Sequence, residues 1–140
     1  MKSKKFQFLE HTADIKFQAF GKSLEESFKN SALALKEILV GNKKVKKRVK
    51  KKIDVQGRDY ESLLYNFLEE FLVLFDSEEF LISEIKSIKI SEKGFKLHAE
   101  IVGDKAQNYS IDEHIKAITY NDMFVKKNKN KYVVQVVVDV

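Results

Sequence analysis

Tyr132-Val133-Val134-Gln135-Val136-Val137-Val138-Asp139-Val140 is the stretch that decides the fold class. Valine dominates it, and β-branched side chains favour a strand. Side chains alternate across a strand, so Val134, Val136, Val138 and Val140 share one face while Gln135, Val137 and Asp139 share the other. A strand this apolar needs strand neighbours, and the chain offers several. Phe6 and Phe8, then Ile15, Phe17 and Ala19, alternate with Gln7, Lys16 and Gln18, which predicts a half-buried strand pair. Phe95, Leu97, Ala99 and Ile101 alternate with Lys96, His98 and Glu100 after a Lys93–Gly94 hairpin turn, and Ile85, Ile88 and Ile90 supply the strand before that turn. Val45 to Val55 predicts a further strand. Ile115 to Tyr120 and Phe124 to Lys126 predict two short ones, and Asn128 to Asn130 a turn before the last.

Two segments change period. Ser23, with Glu26 three residues later, forms a capping box ahead of Leu24, Phe28, Ala32, Leu35 and Leu39, which share one helical face. Gly41–Asn42 stops that helix. Asp59 caps a second helix through Leu63, Leu64, Phe67, Leu68, Phe71, Leu72 and Phe75, ending at Asp76–Ser77. Gly103 to Glu113 is polar and reads as a loop. The order ββ-α-β-α-βββββ predicts an α+β fold: one domain over residues 1–140, in two layers, with a mainly antiparallel β-sheet and two packed helices.

Composition narrows the chemistry. The chain has 140 residues, 44% of them hydrophobic, and no cysteine, which excludes disulfides, thiolate metal sites and a thiol nucleophile. No apolar run approaches the ~20 residues of a membrane-spanning helix, and the N-terminal stretch is too short and polar for a secretion signal. A soluble, cytoplasmic protein is the expectation. The net charge of +5 is local in origin. Lys43, Lys44, Lys46, Lys47, Arg48, Lys50, Lys51 and Lys52 fall within ten positions without an acid; removing these 8 from 26 basic residues leaves 18 against 21 acids, a balance of −3. Such a stripe is a footprint for a polyanion or an acidic protein surface, or else a solvated strand edge whose lysines block aggregation. It contains no aromatic residue, which argues against base stacking and for contacts to a backbone or a protein.

The five glycines stand singly, so no phosphate-cradling loop is present, and His11, His98 and His114 lack metal-ligand spacing. Asp139 sits beside the α-carboxylate of Val140, and Asp14 heads an alternating strand. If those two strand ends meet, three carboxylates form a hard-oxygen site suited to Ca2+ or Mg2+; the alternative is a frayed terminus and a turn aspartate. A metal-dependent hydrolase built on this cluster lacks an evident general base and substrate pocket. A holdase chaperone would need an exposed apolar patch.

Three segments sharpen these alternatives: Glu10-His11-Thr12-Ala13-Asp14 ahead of the alternating strand and the Ser23-Leu24-Glu25-Glu26 helix start; Lys116-Ala117-Ile118-Thr119-Tyr120; and Val136-Val137-Val138-Asp139-Val140. With the Leu63–Leu72 helix, they resemble the archease family from about Phe6 onward. The resemblance implies a protein cofactor, not an enzyme, that activates an RtcB-type tRNA-splicing RNA ligase by promoting its guanylylation and multiple turnover. It also implies a link to a tRNA cytosine methyltransferase as a chaperone, with tRNA contact indirect or weak. It further implies a calcium site at Asp14, Asp139 and Val140, and a role in activation for Lys116. His11 is a candidate to orient Asp14. Asn121, the run Gly103-Asp104-Lys105-Ala106, and Phe67 depart from the family pattern without touching those positions. The alternative function is an RNA-binding module using the Lys43–Lys52 stripe.

Overall fold

Valine-rich β7 (Lys131–Asp139) forms the strand its sequence demands and lies inside a sheet. In the computed structural model, which describes residues 4–10 and 14–140, it is flanked by β2 (Ile15–Gly21) and β6 (Ala117–Asn128). β1 (Phe6–Leu9) completes the sheet in the order β1-β2-β7-β6. A second sheet has the order β3-β5-β4, from β3 (Val49–Gln56), β5 (Lys96–Lys105) and β4 (Phe80–Ser91). Every pairing is antiparallel, so the α+β class and element order expected from the sequence hold, with the strands divided between two sheets. Val134, Val136 and Val138 are all fully buried in the core, which fixes β7's register: a one-residue slip would turn Gln135 and Asp139 into the core.

The helices form where their caps predict. α1 (Leu24–Val40) starts with the Ser23 hydroxyl accepting the Glu26 N–H at 3.1 Å, while Glu26 reaches back to the Lys22 N–H at 2.9 Å. α2 (Tyr60–Glu78) has a capping box in which Asp59 accepts from the Ser62 N–H and the Ser62 hydroxyl accepts from the Asp59 N–H. It runs past the expected stop at Asp76–Ser77 and ends at left-handed Glu79, φ 53°. Phe28 of α1 stacks on Phe67 of α2 at 6.1 Å, and both are fully buried within a core that takes side chains from both sheets.

Three local expectations need correction. The strand expected from Val45 begins at Val49; Val45 is buried ahead of it, its carbonyl accepting the Ser83 hydroxyl at 2.6 Å. The short strands expected at Ile115–Tyr120 and Phe124–Lys126 are two parts of β6, separated by a register irregularity between Thr119 and Phe124 that contains left-handed Asp122. The loop expected from Gly103 starts later, because Gly103, Asp104 and Lys105 belong to β5. A Cβ on Gly103 would stand 2.0 Å from the Leu81 carbonyl oxygen, so glycine lets β4 and β5 approach there. Asp104 is 2% exposed, its carboxylate accepting from the Tyr109 hydroxyl at 2.7 Å and the Lys105 N–H at 2.8 Å. The Tyr109 oxygen in turn accepts the Lys46 N–H at 2.8 Å, so a buried polar node ties the chain after β5 to the segment before β3.

A chain of side-chain amides crosses the four-stranded sheet. Gln7 donates to Gln18 at 3.1 Å, Gln18 to Gln135 at 2.9 Å, and Gln135 to the Asp122 carbonyl at 2.8 Å, which satisfies groups that would be costly to bury unpaired.

Candidate functional site at the strand ends

Strand register, not proximity in sequence, assembles the candidate site. Ile15 pairs with Val138, so Asp14 lies one step beyond the head of β2 where β7 reaches Asp139. Ala117 pairs with Asp139, and the Lys116 N–H donates to the Asp139 carbonyl at 2.7 Å. Asp14, Lys116, Asp139 and Val140 therefore meet at one end of the four-stranded sheet. The partly buried Val140 side chain packs against the core, which anchors the main chain beyond β7. Asp14 and Asp139 are partly buried, and Lys116 is exposed. His11 lies outside the described residues.

The donor set is carboxylate oxygen throughout, the chemistry that Ca2+ and Mg2+ prefer. Among the described residues, no three His, Cys, Asp or Glu side chains are grouped to hold a metal ion. A third donor beside Asp14 and Asp139 would have to be the α-carboxylate of Val140, the residue that follows Asp139. With that donor the residues fit a hard cation.

The basic stripe lies elsewhere, on and before β3, at the edge of the three-stranded sheet. Lys50 and Lys52 are exposed on its outer face. Lys43 pairs with Asp112 at 2.8 Å, Lys47 with Glu84 at 3.1 Å, and Lys51 with Glu78. Lys47 and Lys86 hold the Glu84 carboxyl below its ordinary value. Lys44, Lys46 and Arg48 are exposed in the segment leading into β3. His98 faces outward as its alternation predicts, with Nδ1 2.7 Å from Asp54.

The sequence did not single out Glu10, Glu37 and Glu113, which line one depression with Asp14. Glu10 opens the Glu10–Asp14 segment, but Glu37 and Glu113 lie on a helix face and in a polar segment, with no pattern that joins them.

Comparison with known proteins places the whole chain. The family model described as Archease protein family (MTH1598/TM1083) matches residues 6–140. Protein archease of Pyrococcus abyssi is 41% identical over 141 residues, covering 98% of this chain and 99% of that protein. Protein archease of Methanosarcina barkeri is 38% identical, covering 98% and 97%. Among solved structures, the solution structure of protein 1598 from Methanobacterium thermoautotrophicum superposes with a TM-score of 0.81 at 30% identity, covering 97% of this chain and 99% of that one. The crystal structure of an "archease, possible chaperone" from Thermotoga maritima shares the fold with a TM-score of 0.63 at 21% identity, covering 100% and 98%. The matched span takes in both strand-end aspartates, Lys116 and every element of both sheets, and so this chain belongs to the archease family.

Proposed function

We propose that this protein is a non-enzymatic cofactor that activates an RtcB-type RNA ligase, with the strand-end cluster as its working surface. The observation that carries this reading is the register of β2, β7 and β6, which gathers Asp14, Asp139, Val140 and Lys116 at one sheet end. Asp14, Asp139 and the Val140 α-carboxylate would hold Ca2+ or Mg2+. Three carboxylates offer about six oxygens where calcium takes ~6–8, leaving room for water or a group from the partner. The bound ion would supply concentrated positive charge there. Lys116, exposed beside it, would hold a phosphate or a ligase carboxylate as a point charge.

The test is a turnover assay with ligase limiting, GTP, a divalent metal, and RNA bearing a 3′-phosphate and a 5′-hydroxyl. Wild type should convert single-round ligation into many rounds. Asp14→Ala and Asp139→Ala should lose activation by at least the ~10–100-fold that even outer-shell changes around a metal cause. Lys116→Ala should lose it while retaining metal binding. A C-terminal extension that leaves activation intact would remove the terminal carboxylate from the ligand set. Failure of wild type to activate a competent ligase would refute the proposal.

A chaperone role, including one toward a tRNA methyltransferase, has the weaker support. The large exposed apolar side chains among the described residues are Phe8, Val73 and Tyr120, one each on β1, α2 and β6. The RNA-binding alternative through the stripe predicts steep, salt-sensitive RNA binding by the protein alone.

A further inference from the structure

Beside Asp14, the end of β1, the start of β2 and the last turns of α1 leave a groove of about 500 Å³. Phe8, Leu9, Ile15 and Ile38 give it an apolar lining, and Glu10, Asp14, Glu37 and Glu113 an acidic one. Phe8 lies opposite buried Phe17 in the β1–β2 register, yet it remains 44% exposed. Its ring stands edge-on to Phe6 and Phe17, with centroids 5.6 and 6.3 Å away.

The fold builds this groove by specific bonds. The Asp112 N–H donates to the Leu39 carbonyl at 2.7 Å. Lys43 Nζ donates to Asp112 at 2.8 Å and to the Val40 carbonyl at 3.1 Å. These bonds fasten the segment before β6 to the C-terminal end of α1 and bring Glu113 to the groove that Glu37 and Ile38 line. None of the four carboxylates has an ion-pair partner among the described residues. They are also spread too widely for three of them to hold one metal ion.

Spread anionic groups over an apolar lining complement an extended segment in which lysine or arginine alternates with apolar side chains. We propose that this groove is a docking surface for such a basic, apolar-alternating segment of the partner ligase. Among the described residues β1 is the outermost strand of its sheet, so its edge offers backbone groups to an extended chain. The apolar lining takes alternate side chains, and the carboxylates steer and orient the basic ones. The groove shares Asp14 with the strand-end cluster, so docking sets the ligase against that cluster. The identity of the occupant rests on the activator reading; the chemistry of the groove does not.

The experiment has two arms. First, amide proton–nitrogen spectra are recorded while the protein is titrated with a short acetylated peptide alternating Lys with Leu and Val, and with its counterpart carrying Glu for Lys. Only the basic peptide should shift the amides of Leu9, Ile15 and Ile38. Combining Glu37→Lys with Glu113→Lys should weaken its binding about tenfold or more; Glu37→Gln with Glu113→Gln, a milder change to the fold, should weaken it less. Equal response to both peptides, or no response at these amides, overturns the docking surface. Second, affinity for the ligase is measured for wild type, Glu37→Lys, Glu113→Lys and the control Glu92→Lys. A fall of about tenfold in the first two variants alone supports the ligase as occupant. Unchanged affinity, in a ligase that wild type binds and activates, overturns it. If wild type neither binds nor activates the ligase, the activator reading and the ligase as occupant fail together, and the peptide arm alone judges the groove.

Discussion

Lys43, Lys47 and Lys51 of the basic stripe meet Asp112, Glu84 and Glu78, whereas Asp14, Asp139, Glu10, Glu37 and Glu113 have no ion-pair partner among the described residues. The first region is conspicuous in sequence and partly neutralised in the fold. The second is dispersed over the chain and is assembled only by strand pairing and one fastened segment. The contrast teaches that a net charge of +5 says little about which charges stay available. Of the eight cations, Lys43, Lys47 and Lys51 are met by local carboxylates, and Lys50 and Lys52 stand on an edge strand that they protect. The acids drawn together from distant positions have no such partners among the described residues and leave an anionic surface open.

Mutations test this contrast, beginning with the largest expected effect. Phe17→Ala removes a fully buried ring of the four-stranded sheet and should cost about 3–5 kcal/mol. If both regions hang on one core, thermal unfolding should move as a single transition; separate melting of the two sheets would break the comparison. Tyr109→Phe removes the hydroxyl shared by Asp104 and the Lys46 N–H and should cost about 1–3 kcal/mol, read from denaturant midpoints. It should also loosen the segment that carries Glu113. The same node has an acid signature. Hydrogen bonds, chiefly from the Tyr109 hydroxyl, hold the Asp104 carboxyl below its ordinary value. Its contribution to stability is therefore present above the unfolded-state value and is lost as pH falls through the lower folded one. Asp104→Asn should flatten that limb in melting temperatures taken from about pH 6 to about pH 3. Lys51→Ala, which breaks the exposed pair with Glu78, should cost about 0–1 kcal/mol. Lys50→Gln with Lys52→Gln should stay within about 0.5 kcal/mol each and leave ligase turnover unchanged; lost turnover would give the lysine edge a role that the contrast denies it.

The parts that were legible in the sequence are those whose signal is local. The alternation from Val134 to Val140, the Asp59–Ser62 capping box and the Lys93–Gly94 turn each carry their own physics within a few residues. The juxtaposition at the strand ends was legible in part: alternation set Asp14 and Asp139 at the ends of two strands that could meet, and the resemblance added Lys116. What escaped depends on long-range satisfaction of polar groups. Gly103 and Asp104 look like the start of a loop, but Asp104 can be buried because the Tyr109 hydroxyl and the Lys105 N–H donate to its carboxylate. The two halves of β6 read as separate strands because nothing in the sequence says that the Asp122 carbonyl will meet Gln135. Glu113 reaches the groove through an Asp112–Leu39 main-chain bond that no periodicity encodes.

The amide chain across the four-stranded sheet has a consequence for the timing of folding. Its Gln18–Gln135 bond joins residues 117 apart in the chain. The β4–β5 hairpin and the two helices can form from neighbouring residues, but pairing β2 with β7 must first close a loop of nearly the whole length. The meeting of Asp14 with Asp139 thus comes with the slowest and most cooperative step of assembly. During refolding, helical signal should rise before the strand-end cluster exists, and a chain caught part-way would carry helices and a lysine-bearing hairpin sheet but no assembled strand end.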